Sequence, residues 1–372
     1  MKITDVTLSL FEWKGLEKEA DAAYGKTLAQ NVKLGLLRVI TDAGIEGNAF
    51  LGSSVYSAEM DAKSLISSLK PILLGKDPFL REEIYAQLSS WQHRRLTTLR
   101  AVGAVDIALW DIAGKAAGLP LYKMIGGFRD EIAAYASSQV LPSIEAYTRE
   151  AAYYQSIGWK AYKIHPPTYS YEEDIAVCEA VRNIVGDHYP LMLDSMWSYK
   201  YPEALKVGHA LEDMNYLWFE DPLPEHDIYH YQKLCGDLSI PVMATEYPEA
   251  GLDSYVPWLI NRATDLLRGD VAVKGGITPV LKAARLAEAF NMSFEIHHGA
   301  NSLNNVANLN IALAIKNCSY FEVMLPDINQ KYGLCQEIEV DNNGMVHAFT
   351  KPGLGAEIDM ELISANTTDI LS

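Results

Sequence analysis

The chain has 372 residues and a formal net charge of −17 at pH 7, because 48 Asp and Glu residues outnumber 31 Lys and Arg residues. Hydrophobic residues make up 49% of the chain, so a disordered or collagen-like protein is excluded. The acidity argues against a nucleic-acid partner, since affinity for phosphates depends largely on Lys and Arg. It indicates either a solvated acidic surface or a group of carboxylates that binds a cation.

The remaining bulk features favour a soluble cytoplasmic protein. The N-terminus lacks a basic stretch followed by an apolar run, which argues against a signal peptide. No apolar run reaches the ~18 residues that a membrane span needs. The four cysteines show no CxxC spacing, so neither a zinc site nor a disulfide framework is indicated; they are Cys178, Cys235, Cys318 and Cys335.

Residues 1–125 are predicted to form an α+β domain. Strand-like patterns cover Lys2–Trp13 and Val32–Phe50, where a turn after residue 41 suggests a hairpin. Helical periodicity covers Ser57–Leu74 and Leu99–Ala117.

Residues 126–335 show a different pattern, in which short apolar runs alternate with amphipathic helices. Repeated strand–helix alternation indicates a parallel sheet, and eight units are the number that closes a barrel. Residues 336–372 return to β-like sequence and are expected to pack back on the first domain. The eight predicted strands are Ile132–Ser138, Ala161–His165, Pro190–Asp194, Leu217–Glu220, Pro241–Glu246, Asp265–Asp270, Met292–His297 and Tyr320–Glu322.

An ionisable residue ends each predicted strand from the second onwards. From the third strand on, these residues recur at intervals of 24 to 27 positions. Because the C-terminal strand ends of a barrel surround one mouth, the side chains are expected to converge there. They are Lys163 with His165, then Asp194, Glu220, Glu246, Asp270, His297 and Glu322.

Three consecutive strand ends carry carboxylates, namely Asp194, Glu220 and Glu246. Crowded anions raise each other's pKa unless a cation joins them. Carboxylate oxygens select Mg²⁺, Mn²⁺ or Ca²⁺ over zinc, so the pattern predicts a divalent-cation site. The alternative is that the three residues are separate helix caps or salt-bridge partners.

Basic groups are predicted to face this site. Lys163 and His165 are two residues apart on one strand and therefore point to the same side. The lysine could neutralise a substrate carboxylate and the histidine could transfer a proton, although a surface basic cluster is the alternative.

A second candidate pair is Asp270 with His297, at the ends of neighbouring strands. The carboxylate would fix the tautomer of the imidazole and leave its other nitrogen as a base. Alternation along the strand favours His297 over His298 as the inward residue. Glu322, if protonated, could donate a hydrogen bond to a developing oxyanion.

Five motifs occur together and in order: Ala104–Lys115, Gly158–His165, Trp218–Pro222, Gly275–Thr278 and the Asp270/His297 pair. With them the chain resembles the mandelate racemase subgroup of the enolase superfamily over essentially its whole length. The resemblance implies a modified TIM barrel of the (β/α)7β type with an N-terminal α+β capping domain.

The resemblance also implies the cofactor and the residue roles. Asp194, Glu220 and Glu246 match the Mg²⁺ ligands of the family. The Asp270–His297 pair matches its catalytic dyad. Glu322 matches the acid that stabilises the intermediate.

Two positions depart from the family pattern. The second strand ends Lys-Ile-His at Lys163–His165, where the family usually has Lys-x-Lys. Lys163 then resembles the lysine that contacts the substrate carboxylate, and His165 takes the base position. The third strand continues Asp-Ser-Met at Asp194–Met196, where Asp-Ala-Asn is usual, which removes a polar group near the substrate. The division of acid and base between His165 and His297 therefore stays open.

The predicted activity is Mg²⁺-dependent dehydration of a sugar acid, either an aldonate or an aldarate. A proton α to the carboxylate is removed to give an enediolate, and the β-hydroxyl then leaves. Racemisation or epimerisation, and cycloisomerisation, are alternatives that use the same chemistry. A barrel that binds a ligand without turnover, and a metal-dependent hydrolase or aldolase, are further alternatives.

The expected partners are a small carboxylate substrate and further copies of this chain in a homo-oligomer. By resemblance, segments near residues 15–30 and 50–56 cover the mouth and are rich in hydroxyl-binding side chains, although these are equally compatible with ordinary surface. The candidates there are Tyr24, Lys26, Ser53, Ser54 and Tyr56.

Overall fold

The computed structural model describes residues 1–14, 32–247 and 250–372. The strands are β1 (Ile3–Glu12), β2 (Lys33–Thr41), β3 (Glu46–Leu51), β4 (Glu131–Val140), β5 (Ala161–His165), β6 (Leu191–Asp194), β7 (Trp218–Glu220), β8 (Val242–Ala244), β9 (Leu266–Gly269), β10 (Ser293–Ile296), β11 (Tyr320–Met324), β12 (Met345–His347) and β13 (Thr367–Leu371).

The helices are α1 (Glu59–Ser64), α2 (Lys70–Leu73), α3 (Arg81–His93), α4 (Leu99–Ala117), α5 (Leu121–Ile125), α6 (Ile144–Ser156), α7 (Tyr171–Val185), α8 (Tyr201–Asp213), α9 (Ile228–Asp237), α10 (Val256–Asn261), α11 (Ile277–Ala289), α12 (Ser302–Ala314) and α13 (Met360–Asn366). A π-helical turn, Leu65–Leu69, joins α1 to α2. Short 3-10 helices cover Leu252–Tyr255 and Asp327–Gln330.

An antiparallel sheet is built from β1, β2, β3 and β13, in the order β13-β1-β2-β3. β2 and β3 form a hairpin, with Leu37 opposite Ala49. Alternate residues of β1 are buried, which is the pattern of a strand with one face on a core. β13 adds to the other side of β1, with Leu371 opposite Leu8, so the last strand of the chain completes the sheet begun by the first.

Strands β4–β11 are parallel neighbours in sequence order, and β11 also pairs with β4, with Phe321 opposite Ala134. The eight strands therefore form a closed barrel. Among the described residues, the seven helices α6–α12 connect these strands, and the 3-10 helix Asp327–Gln330 follows β11. This is the predicted (β/α)7β barrel, and β12 pairs antiparallel with β4 beside it.

Helix α4 has the bounds that its periodicity predicts. The Thr98 hydroxyl accepts a hydrogen bond from the Ala101 N–H at 3.1 Å and caps the start. Gly118 ends the helix with φ at 65°, in the left-handed region that favours glycine. No helix in the described parts of the chain is long and apolar enough to cross a membrane.

Two glycines allow α4 to pack closely on both sides. A Cβ on Gly47 of β3 would lie 2.0 Å from the Ala108 carbonyl oxygen, so the sheet and the helix touch backbone to backbone. A Cβ on Gly103 would lie 2.8 Å from the Val271 carbonyl oxygen, in the loop between β9 and α11. The helix is therefore packed between the antiparallel sheet and a loop at the barrel mouth.

Two buried aspartates of the Ala104–Lys115 motif connect α4 to other elements. Asp106 accepts hydrogen bonds from the backbone N–H and the hydroxyl of Thr278, at 2.8 and 2.6 Å. Asp111 accepts from the backbone N–H groups of Asn48 and Leu354, at 3.0 and 2.9 Å. The motif thus joins the antiparallel sheet, the barrel and the C-terminal segment.

Candidate active site

The predicted strand-end residues converge at one end of the barrel. His165, Asp194 and Glu220 are the last residues of β5, β6 and β7. Lys163 and Glu322 lie inside β5 and β11, and the others follow their strands within two residues. All of them except Glu220, which is fully buried, line a cavity of about 500 Å³.

Asp194, Glu220 and Glu246 form the centre of the ring, and we call these three residues the triad. One carboxylate oxygen from each lies within 4.8 Å of those of the other two, and all three residues are buried. Burial and the two neighbouring carboxylates raise the pKa of Glu246 against the opposing charges of His297 and Arg268. Three hard oxygen donors at this spacing fit a divalent cation such as Mg²⁺.

A strained turn brings Glu246 into the triad. Thr245 has φ at 86°, a conformation that β-branched residues rarely adopt. Its hydroxyl donates to the Arg268 carbonyl at 3.0 Å and accepts from the Arg268 N–H at 2.9 Å. Strain of this kind persists where surrounding contacts hold it and is concentrated at functional sites.

Lys163 lies at the centre of the carboxylates. Its Nζ is 3.2 Å from Asp194 Oδ2, 3.0 Å from Glu220 Oε2 and 2.8 Å from Glu322 Oε1. Burial and the charge of Arg268 disfavour the ammonium, but Glu220 and Glu322 outweigh them and raise the pKa of Lys163 well above its ordinary value. The lysine is therefore a permanent cation in the cavity wall.

Arg268 is a member of the site that the sequence reasoning missed. It is fully buried in β9, two residues before Asp270. Its Nε contacts the Glu220 carboxylate and lies 3.6 Å from Glu246 Oε2, and its Nη2 donates to Glu322 Oε2 at 2.5 Å. A second fixed cation thus lies among the carboxylates, beneath the cavity.

The contacts of Glu322 favour a different protonation state from the one that its predicted role requires. Lys163 and Arg268 each contact one of its oxygens, and the backbone N–H of His298 donates to Oε2 at 3.0 Å. Burial raises the pKa of Glu322, but Arg268 and Lys163 outweigh it and bring the pKa well below the ordinary value. This arrangement favours the carboxylate, which cannot donate a hydrogen bond to an oxyanion.

His297 and Asp270 are in contact. His297 Nδ1 lies 2.6 Å from Asp270 Oδ2, and Asp270 Oδ1 accepts from the backbone N–H groups of Ala272 and Val273 at 2.6 and 3.0 Å. His297 Nε2 lies 3.2 Å from Glu246 Oε1. Burial lowers the pKa of His297, but Glu246 and Asp270 outweigh it and raise the pKa to about 9.

His165 is fixed on the other side of the triad. Its Nδ1 donates to the Ser138 carbonyl at 2.6 Å, and its Nε2 lies 3.0 Å from Asp194 Oδ2. His298, which the alternation argument sets aside, also lines the cavity, with its ring centroid 4.1 Å from that of His297. Burial and the charge of His297 lower the pKa of His298 well below its ordinary value, which favours the neutral ring.

The residues outside the barrel that are expected to bind substrate differ in their position relative to the cavity. Tyr24 and Lys26 lie outside the described residues. Ser53 is fully buried, and its hydroxyl accepts from the backbone N–H groups of two following residues at 3.1 Å, so it shapes a turn instead of lining the cavity. Ser54 and Tyr56 do line it.

Barrel enzymes have their active sites at the C-terminal ends of the parallel strands, where this protein has its buried charges. These features define the class of TIM-barrel-like enzymes. The protein is an enzyme of this class. Residues 21–126 match the family model of the mandelate racemase/muconate lactonizing enzyme N-terminal domain, and residues 146–362 match the enolase C-terminal domain-like model. The chain belongs to the mandelate racemase subgroup of the enolase superfamily, which confirms the resemblance carried by its motifs.

Several similar proteins are named as dehydratases of sugar acids. The chain is 34% identical to D-glucarate dehydratase from Agrobacterium tumefaciens, solved with magnesium, with a TM-score of 0.90 over 99% of this chain and 100% of that chain. It is 29% identical to arabinonate dehydratase of Saccharolobus solfataricus over 96% of each chain. It is 31% identical to L-talarate/galactarate dehydratase of Salmonella typhimurium over 69% of this chain and 67% of that protein.

Proposed function

We propose that the protein is a Mg²⁺-dependent dehydratase of a sugar acid. The observation that carries the proposal is the pair of buried histidines, His165 and His297, on either side of the triad. The strand order β10-β9-β8-β7-β6-β5 separates the two histidines by the strands that supply the triad. The dehydratase names of the relatives, and the magnesium in the glucarate dehydratase structure, support the reaction class.

The triad would hold the cation. When bound there, Mg²⁺ would supply Lewis-acid stabilisation of the negative charge that develops on the substrate carboxylate. Lys163 adds a fixed positive charge in the same part of the cavity wall. Fixed charges of this kind are already oriented when the α proton leaves, which lowers the barrier to removing it.

His297 is proposed to accept the α proton at Nε2. Asp270 accepts a hydrogen bond from Nδ1, so the neutral ring carries its lone pair on Nε2. A base needs the neutral ring, whereas a pKa of about 9 favours the protonated one. The charge of Glu246 is one cause of that increase, so sharing it with a cation would lower the pKa of His297 and favour the neutral ring.

His165 is proposed to assist the departure of the β-hydroxyl. Its Nδ1 donates to the Ser138 carbonyl, so Nε2 is the nitrogen that exchanges its proton. Nε2 lies 3.0 Å from Asp194 Oδ2, within hydrogen-bond distance. A protonated His165 would donate this proton to the leaving hydroxyl, which departs as water.

Epimerisation is the second candidate function, and the same pair of histidines favours it. A histidine on each side of the triad can remove a proton from one face of the substrate and return one to the other face. In that reaction the β-hydroxyl stays in place.

A screen of sugar acids with Mg²⁺ tests the proposal. Product with a 2-keto-3-deoxy group is detected colorimetrically, and uptake of solvent deuterium at the α carbon is followed by NMR. Dehydration predicts keto product, and deuterium uptake without keto product would favour epimerisation. If neither appears for any acid, the reading of the protein as a binding barrel gains support.

Single substitutions distinguish the proposed roles of the two histidines. His297→Asn should abolish both deuterium uptake and keto product, because the base is lost. His165→Asn should stop keto product while deuterium uptake continues. The reverse result would exchange the two roles, and full turnover by both variants would remove the histidines from the mechanism.

A further inference from the structure

One cation in the cavity wall comes from outside the barrel. Among the described residues that line the cavity, Lys163 is the lysine or arginine that comes from the barrel, and Arg100 of α4 adds a permanent positive charge from the capping domain. Lys163 is already surrounded by the carboxylates of Asp194, Glu220 and Glu322. Arg100 is therefore the group to consider for a negative charge elsewhere on the substrate.

The position of Arg100 is well defined by its surroundings. Its Nε donates to Asp61 Oδ2 of α1 at 3.2 Å, and Asp61 also accepts from the Thr98 hydroxyl at 2.6 Å. The guanidinium carbon lies 4.6 Å from the centroid of the Tyr56 ring, in the range of a cation–π contact. The Arg100 side chain is 26% exposed. A guanidinium has five N–H donors, so contact with Asp61 and contact with a ligand are compatible.

The position of Arg100 indicates which chemical group the substrate has at the end distant from the triad. We propose that the substrate is an aldarate, a sugar acid with a carboxylate at each end, and that Arg100 binds the carboxylate distant from the triad. This inference rests on the proposed function, which assigns the reacting carboxylate to the triad. Arginine binds carboxylates through two parallel hydrogen bonds, whereas the terminal hydroxymethyl group of an aldonate offers no charge for it to pair with.

Paired substrates test the inference. The kcat/KM of the wild type and of Arg100→Met is measured on aldarates and on aldonates with the same stereochemistry along the carbon chain. The wild type should prefer the diacid. Arg100→Met should lower kcat/KM for the diacid by about 10- to 100-fold, the usual effect of losing a charged hydrogen bond, mainly through KM. Turnover of the monoacid should change by less than about 3-fold.

Two further variants separate binding from folding. Arg100→Lys keeps the charge and should retain part of the preference for the diacid. Arg94→Gln changes an exposed arginine shortly before α4 and should leave both substrates unaffected. An equal loss on diacid and monoacid in Arg100→Met, or a wild type that favours aldonates, would overturn the inference while the dehydratase proposal stands.

A binding measurement covers the case in which the wild type turns over no sugar acid, which would contradict the proposed function itself. Titration calorimetry with Mg²⁺ then compares diacid binding by the wild type and Arg100→Met. Binding weakened about 10- to 100-fold by the substitution would support the carboxylate subsite. Equal affinities would overturn it.

Discussion

Replacing Arg268 with methionine tests whether the buried guanidinium balances the carboxylates around it. Methionine is a long, flexible side chain without charge, so the change removes the charge with a modest loss of volume. The guanidinium contacts Glu220 and Glu322 and lies 3.6 Å from Glu246. In the variant, Lys163 has to balance the same carboxylates without its help.

Removing one partner of a buried ion pair typically costs about 3–5 kcal/mol, because the other charge stays buried and unpaired. Unfolding entropy is about 2.1 cal/mol/K per residue near the melting temperature, or about 0.8 kcal/mol/K for 372 residues. The melting temperature should therefore fall by about 4–6 °C in neutral buffer with EDTA. Acid should reduce this loss, since carboxylates that lose their cation have raised pKa values and take up protons.

Differential scanning calorimetry measures the effect in neutral and in mildly acidic buffer, with EDTA and with Mg²⁺. Arg285→Met is the matched control, because Arg285 forms a surface pair with Glu288 at 3.0 Å and such pairs contribute ~0–1 kcal/mol. Mg²⁺ should recover part of the stability of the Arg268 variant. A variant as stable as the control in neutral EDTA buffer would refute the charge-balance argument.

Three further substitutions test the packing of α4, the titration of a buried aspartate and the binding of Mg²⁺. Gly103→Ala should lower the free energy of unfolding by about 1–3 kcal/mol in urea titrations, because the added Cβ would lie 2.8 Å from a backbone oxygen. Gly236→Ala is the control and should leave this free energy unchanged, since its Cβ would meet no atom within 4 Å. Burial raises the pKa of Asp106 to about 6 from an ordinary 3.8. Stability should therefore fall, by up to ~3 kcal/mol, as pH rises from about 4 to about 6, and Asp106→Asn should lack this component in calorimetry. Glu220→Gln should weaken Mg²⁺ binding at least about 10-fold in titration calorimetry, and unchanged affinity would exclude Glu220 as a ligand.

Elements with strong local signals were predictable from the sequence. Strand Ala161–His165 and helix Leu99–Ala117 have the predicted bounds, because an apolar run marks a strand buried on both faces and capping residues mark helix ends. Helix α3 was not predicted, because only Ile84 and Leu88 of its 13 residues are buried. With so few buried positions, its sequence has a weak helical pattern.

The ring of strand-end residues was predictable for the same reason, because barrel topology brings C-terminal strand ends together whatever the loops do. Arg268 could have been found by the alternation rule, since it lies two residues before Asp270 and so faces the same side. Arg100 could not, because its access to the cavity depends on the angle at which α4 meets the barrel. Ser53 could not be distinguished from Ser54, since the turn that buries one hydroxyl and exposes its neighbour is a local backbone detail.

Helix α4 has a mechanical consequence for the enzyme. Arg100 lies in its first turn, and Gly103, in the same turn of helix, packs on the Val271 carbonyl next to Asp270. A displacement of Arg100 is therefore transmitted through a stiff element to the loop that orients His297. A change that shifts the backbone of α4 should alter the rate of proton transfer together with affinity, whereas a change confined to the Arg100 side chain should alter affinity alone.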